Sequence, residues 1–322
     1  MSPRTYRTTV PQTTGTIVRI VFARGGDMTT TIEAAASGTP QPFTTRLAGH
    51  ALNGLARASS RTAARAAFEL WRRPLVRGPV REDERDAHES ARQSDLPWRG
   101  RRIRVYEWGD GPRPVLLIHG WRSRASRFAP MIVRLLEEGF SPVSYDALGH
   151  GATRGKAGTI LDHEAIIRAV GERSGPFEGV VAHSLGAPIA FHAIRNGMSA
   201  PRVVVVNGVG DFGYLVDAFC SALRLGPDVN AHLRGTIERR LFDGASDIWE
   251  RFSVGDGPAD ELLVVQERFD QVVHASQADV ITAAHGSRGR RHETVGLGHS
   301  ALLNDPGVLD VVMEFLADRA RS

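Results

Sequence analysis

Four short apolar runs constrain this chain more than any other feature: "PVLLI" (114–118), "GVVA" (179–182), "RVVVV" (202–206) and "LLVVQ" (262–266). Each is nearly continuous in apolar residues rather than alternating. That is the pattern of a strand buried on both faces. "RIRVYEW", "SPVSY" and "HETV" read as three more strands, the first ending at the turn Gly109-Asp110-Gly111. Between the runs lie stretches with helical period: "RFAPMIVRLLEEGF" stopped by Gly139, residues 160–173, 184–196 and about 277–284. "ALLNDPGVLDVVMEFLADRA" closes the chain as a helix with a break near Pro306. Alternating strands and helices demand an α/β fold: a mostly parallel sheet with helices on both faces. In such sheets chemistry sits past the carboxyl ends of the strands. The residues just past each run are therefore the ones to inspect.

The chain has 322 residues, 42% of them hydrophobic, enough for a sizeable core. Residues 1–43 are rich in Thr, Gly and Pro without periodicity and are expected to be disordered, with Met28 an alternative start. Residues 44–99 read as a basic helical leader. A single helix is expected from Thr45 to Arg73, ended by Pro74, followed by the solvated stretch "REDERDAHES". Arg57, Arg61 and Arg65 fall at i, i+4 and i+8 and form a stripe. Such a helix packs on the main domain or a partner, or docks on an anionic membrane surface. Residues 100–322 are expected to form the α/β domain, with residues 212–258, helical and without a strand, as a small cap.

The charge is uneven. Residues 1–105 hold 18 arginines against nine acids, a net of +9, which leaves −5 for the rest of a chain whose total is +4. Nucleic-acid binding is not expected, because basic residues are not interleaved with aromatics on one surface. Cys220 is the one cysteine, so an intrachain disulfide and a thiolate zinc site are excluded, and no metal or cofactor is expected. The chain has no apolar run of about 18 residues and no signal-peptide pattern, so a cytoplasmic protein is expected.

Past "GVVA" come His183, Ser184, Leu185 and Gly186. Ala182-His183-Ser184-Leu185-Gly186 has the shape of a nucleophile elbow, in which small residues let a strand turn sharply into a helix with serine at the apex. The competing reading is a serine N-cap on an ordinary helix. Past "PVLLI" come His119, Gly120 and Trp121. A turn at Gly120 would aim the amides of Trp121 and Leu185 at one oxyanion; the alternative is a plain tight turn. Past "LLVVQ" lies Asp270, and past "HETV" lies His299. The order Ser184…Asp270…His299 suits a relay in which His299 takes the serine proton and Asp270 orients the imidazole.

Residues 100–320 resemble the α/β-hydrolase fold through "LLIHGW", "DALGHG", "AHSLGA", "ERFDQVV" and "GLGHS". "HGW" with "HSLG" is similar to small carboxylesterases, and the layout with a basic leader resembles a group of bacterial hydrolases. The resemblance implies Ser184, Asp270 and His299 as catalytic residues, Trp121 and Leu185 as oxyanion donors, and His119, Gly120 and Gly186 in support. Four positions depart from the family: Ala182 for the usual Gly, Gln266-Glu267 for the usual His-Gly, and Arg122 where small residues are common.

Gly208, Gly210 and Gly213 in "GVGDFG" match a dinucleotide-binding pattern, but no strand comes next at the required distance, so the segment reads as a loop into the cap. Asp211 within it is the alternative triad acid. Asp146, His150 and His183 read as loop supports, and Cys220 as a small buried side chain. The expected activity is serine hydrolysis of a carboxylic ester with a small to medium apolar group. Alternatives are a thioesterase or acyltransferase, or a ligand-binding protein of this fold without turnover.

Overall fold

The computed structural model describes residues 43–74, 77–255, 257 and 259–318. The disorder expected over 1–43 lies almost wholly outside these residues, as does Met28. Residues 1–47 and 48–322 form two compact units. The described part of the first is the opening of a helix; the second holds the sheet and every other helix.

The leader holds α1 (Phe43–Ala58), α2 (Ser60–Trp71) and the short α3 (Arg85–Glu89). The α/β region carries α4 (Ala129–Glu137), α5 (Ile160–Ser174) and α6 (Gly186–Arg195), then α7 (Tyr214–Ala222), α8 (Pro227–Leu241) and α9 (Ile248–Arg251). It ends with α10 (Ser276–His285), α11 (Gly298–Ala301) and α12 (Pro306–Ala317). The strands are β1 (Arg92–Trp98), β2 (Arg101–Glu107), β3 (Pro114–Ile118) and β4 (Ser141–Tyr145), then β5 (Gly179–His183), β6 (Arg202–Val206), β7 (Glu261–Glu267) and β8 (Gly289–Thr294).

One eight-stranded sheet has the order β1-β2-β4-β3-β5-β6-β7-β8. The β1–β2 and β2–β4 pairs are antiparallel and the rest parallel. β3, β4 and β5 are buried at every position, as their continuous apolar runs require. Successive strand residues feed two cores. Ile118, Val180 and Val203 face one with Ile166 of α5 and Phe191 of α6. Leu117, Val181 and Val204 face the other with Met131 of α4 and Phe315 of α12.

Three expectations for the leader are corrected. The single helix over 45–73 is two, because Ser59 takes extended backbone (φ −164°) and its hydroxyl accepts the Thr62 amide at 3.2 Å, capping a new helix. Residues 92–98, assigned to the helical leader, are the edge strand β1, so the sheet begins before residue 100. β1 reads "RQSDLPW", too polar to show a strand pattern, and it holds through its pairing with β2 and cross-strand pairs such as Arg104–Asp95 at 2.8 Å. α2 buries Ala63, Ala64, Ala67 and Phe68 and packs on α8, while Arg61 and Arg65 stay exposed. "REDERDAHES" is not wholly solvated either. Glu84 is buried, accepts the Ser126 hydroxyl at 2.7 Å and pairs with Arg127. Burial raises the Glu84 pKa, but the bonds from Ser126, the Arg81 amide and Arg127 outweigh it and hold the carboxyl below its ordinary value.

The loop after β4 is fixed by Asp146, which is fully buried. Its carboxylate accepts the Tyr106 hydroxyl at 2.9 Å, the Ala125 amide at 2.9 Å and the Ala152 amide at 2.7 Å, and Arg124 lies 3.5 Å away. Asp146→Asn turns an NH2 group toward donors. The variant is expected to lose about 3 kcal/mol of stability, read from urea denaturation; an unchanged midpoint would show that the charge is dispensable.

Candidate active site

The residues singled out at the strand ends converge on one rim. β5 stops at His183 and α6 begins at Gly186. Between them Ser184 has φ +56°, a left-handed conformation that costs a non-glycine residue on the order of 1–3 kcal/mol. The neighbours impose it. The Ser184 amide donates to Val206 O at 3.1 Å, and its carbonyl accepts the amides of Ala187 at 3.1 Å and Val209 at 3.2 Å. A Cβ on Gly186 would collide with the Ile118 carbonyl, and one on Gly120 would lie 2.8 Å from Ser184 Cβ. Ser184 is not a helix cap: Leu185 takes that position, without a side-chain bond.

His299 stands on the short helix α11, and its Nδ1 lies 2.6 Å from Asp270 Oδ2. The carboxylate can only accept, so Nδ1 carries the proton and Nε2 is left as a base. The other Asp270 oxygen accepts the Val272 and Val273 amides at 2.7 and 3.1 Å. Asp211 is engaged elsewhere: it accepts the Gly213 amide at 2.8 Å, while its own amide is held by Gln277. Gly208 and Gly210 serve close packing, the latter against the Gln277 carbonyl.

The amides of Trp121 and Leu185 have no acceptor among the described residues. They flank the point where Gly120 abuts Ser184. His119 braces this turn, accepting the Ala147 amide on Nε2 at 3.1 Å and donating Nδ1–H to the Gly120 carbonyl at 2.8 Å.

Sequence reasoning places His183 among the loop supports and misses two others, Asn207 and Glu267. The His299 carbonyl accepts His183 Nε2–H at 3.1 Å and Asn207 Nδ2–H at 2.9 Å. Asn207 also accepts the Glu267 amide at 2.8 Å, tying the ends of β6 and β7 to the histidine. The buried Glu267 carboxylate gathers the turn before His299: it takes the Gly296 amide at 2.9 Å, the Leu297 amide at 3.0 Å and the Thr294 hydroxyl at 3.0 Å. The only signal for either residue is a polar side chain at the end of an apolar strand. Glu267 stands where the family's His-Gly is usual.

Ser184 opens onto a cavity of about 290 Å³, at the small end for ligand sites. Its walls are mostly apolar and come partly from the helices between β6 and β7, through Leu215 and Phe219 of α7 and Leu241 of α8. Trp71 of α2 joins them. Arg122, with φ +57°, is exposed and lies outside this wall. Cys220 is buried on α7, its thiol pushed up to about 11 by burial.

Three buried imidazoles around the site, those of His183, His150 and His163, are neutral. Burial lowers His183 to about 3, with repulsion from His299 adding to it, and lowers His150 to about 4. Burial also lowers His163 to about 3. Two results are expected. Glu267→Gln sets an amide against backbone donors and should cost about 3 kcal/mol in urea denaturation; full stability would remove the carboxylate's tethering role. These histidines have folded pKa values below the unfolded 6.5, so the unfolded chain binds more protons in acid. Stability should be full above pH 6.5 and decline as pH falls toward 4, by about 1.4 kcal/mol per histidine per pH unit. His150→Gln should shallow that decline by about one proton; an unchanged slope would place the His150 charge outside the core.

Comparisons with known proteins agree with this architecture. The alpha/beta hydrolase family matches residues 115–311. No curated protein matches the chain. Among solved structures, a carboxylesterase study of the thaumarchaeon Nitrososphaera gargenis gives a TM-score of 0.52 at 16% identity, covering 70% of this chain and 98% of that one. The monoacylglycerol lipase of Paleococcus ferrophilus gives 0.52 at 18% identity, over 67% and 98%. The thioesterase domain of the curacin biosynthetic pathway gives 0.51 at 16%, over 70% and 99%. At these identities the likeness is one of fold. With more than half of its length matched, the chain belongs to the alpha/beta hydrolase family.

Proposed function

We propose that this protein is a serine hydrolase that cleaves a carboxylic ester with an apolar acyl or alkoxy group through an acyl-enzyme on Ser184. The observation that carries the reading is the 2.6 Å bond between Asp270 and His299 Nδ1, at the rim where strained Ser184 meets the apolar cavity. In this reading His299 Nε2 takes the Ser184 proton as Oγ attacks the carbonyl. Asp270 keeps the tautomer and stabilises the imidazolium. The free amides of Trp121 and Leu185 receive the oxyanion, each typically worth about 10²–10³ in rate. His299 then protonates the leaving alcohol, activates water against the acyl-enzyme, and returns the proton to Ser184 as the acid departs. Neutral His183 holds the His299 backbone without adding charge. Esterases, a lipase and a thioesterase share this fold, so the leaving group is a matter of substrate rather than of architecture.

The test is fluorophosphonate labelling beside hydrolysis of p-nitrophenyl esters and acyl-thioesters. Wild type should be labelled and Ser184→Ala should not. Ser184→Ala and His299→Ala should lose about 10⁴-fold or more in kcat, and Asp270→Asn about 10³–10⁴-fold. Asp211→Asn should stay near wild type. Undiminished labelling of Ser184→Ala would refute the nucleophile, and a large loss in Asp211→Asn alone would move the acid.

A further inference from the structure

Most of the described residues that line the cavity beside Ser184 are apolar, and one of them, Arg72, carries a full charge. Arg72, the residue that ends α2, lines the cavity. Its Nε is buried without a hydrogen-bond partner. Among the described residues no carboxylate lies within 4.0 Å of its guanidinium, which rests 5.4 Å from the Phe68 ring. The neighbouring acid is committed elsewhere: Glu69 pairs with Arg73 at 3.2 Å and reaches Lys156 at 3.9 Å. That second contact draws the segment before α5 to the end of α2, and the same wall continues through Thr159 to His163. His163 is 7% exposed. Its Nδ1 bonds Tyr145 Oη at 2.8 Å, which leaves Nε2 as the free polar atom of a neutral ring on the cavity wall. Among the described residues no Asp or Glu lines the cavity.

A guanidinium whose Nε is buried without a partner, and which has no carboxylate beside it, gains from a ligand that supplies the counter-charge. An apolar chamber with one cation, one neutral donor or acceptor and no acid is matched by an apolar ligand with an anionic end. Resting on the ester-hydrolase reading, we propose that the cavity selects substrates whose apolar body terminates in a carboxylate, paired by Arg72 and touched by His163 Nε2. The simplest such substrate is the half-ester of an aliphatic dicarboxylic acid. Arg72 is then a specificity-determining residue contributed by the leader. The stripe of Arg57, Arg61 and Arg65 lies outside the cavity and has no part in the selection.

The test compares kcat/KM for monomethyl suberate with that for its neutral isostere, methyl 7-carbamoylheptanoate. Wild type should prefer the acid by about 10- to 100-fold, as a charge-assisted contact provides. Arg72→Met should collapse that ratio toward one through KM, Arg72→Lys should keep part of it, and Arg61→Met should preserve it. A wild-type ratio near one, or equal losses on both esters in Arg72→Met, would overturn the proposal. A second arm needs no turnover: equilibrium binding of octanoate and its neutral isostere octanamide to Ser184→Ala protein, with and without Arg72→Met. Tighter binding of octanoate that disappears with Arg72 supports the proposal, and equal binding of the acid and the amide overturns it. If neither ester is cleaved, the hydrolase reading fails while the binding arm still decides the role of Arg72.

Discussion

The site depends on one backbone constraint: Ser184 held in a left-handed conformation where β5 becomes α6. Nothing local to serine favours that geometry. It persists because the Val206 carbonyl, the Val209 amide and the Ile118 carbonyl surround the turn and leave the chain no other path. Each of those groups belongs to a strand, or the end of a strand, already fixed in the parallel sheet. The energy of the sheet therefore offsets the strain at the serine. The same crowding makes Gly120 and Gly186 obligatory, so what looks like a permissive run of small residues is a tightly packed junction.

The second arm of the site is electrostatic. Asp270 holds the His299 ring from one side, Asn207 and His183 hold its carbonyl from the other, and Glu267 holds the turn that precedes it. A histidine that must move a proton benefits from a fixed ring and from neighbours that do not compete for charge. Burial of His183 meets the second condition with a neutral ring whose centre lies 4.8 Å from that of His299. Glu267 provides the first through three bonds to the turn that carries the histidine.

Much of this was legible in the sequence because it depends on local chemistry. "RVVVV" can only be a buried strand, and the residues after "GVVA", "LLVVQ" and "HETV" had to reach one edge of a parallel sheet. What stayed hidden depends on partners far away in sequence. β1 is a strand only because β2 lies beside it. Ser59 interrupts the leader because its hydroxyl finds the Thr62 amide, a choice the helical period of the flanking residues conceals. Glu267 and Asn207 look like ordinary polar endings until the His299 turn is set against them. Arg72 reads as one more arginine in a basic leader, and only the position of α5 makes it part of a cavity wall.

The sheet's outermost strand, β1, has a consequence for how copies of this chain meet. It carries Pro97, which has no N–H to offer a neighbour, along with Arg92 and Asp95. At the opposite border β8 presents Arg290, Arg291 and Glu293. A proline and alternating charges resist the zipping of one sheet onto another, the commonest route from a long β-sheet to fibrous aggregates. The polar residues that made β1 hard to recognise as a strand are thus the same ones that discourage edge-to-edge pairing.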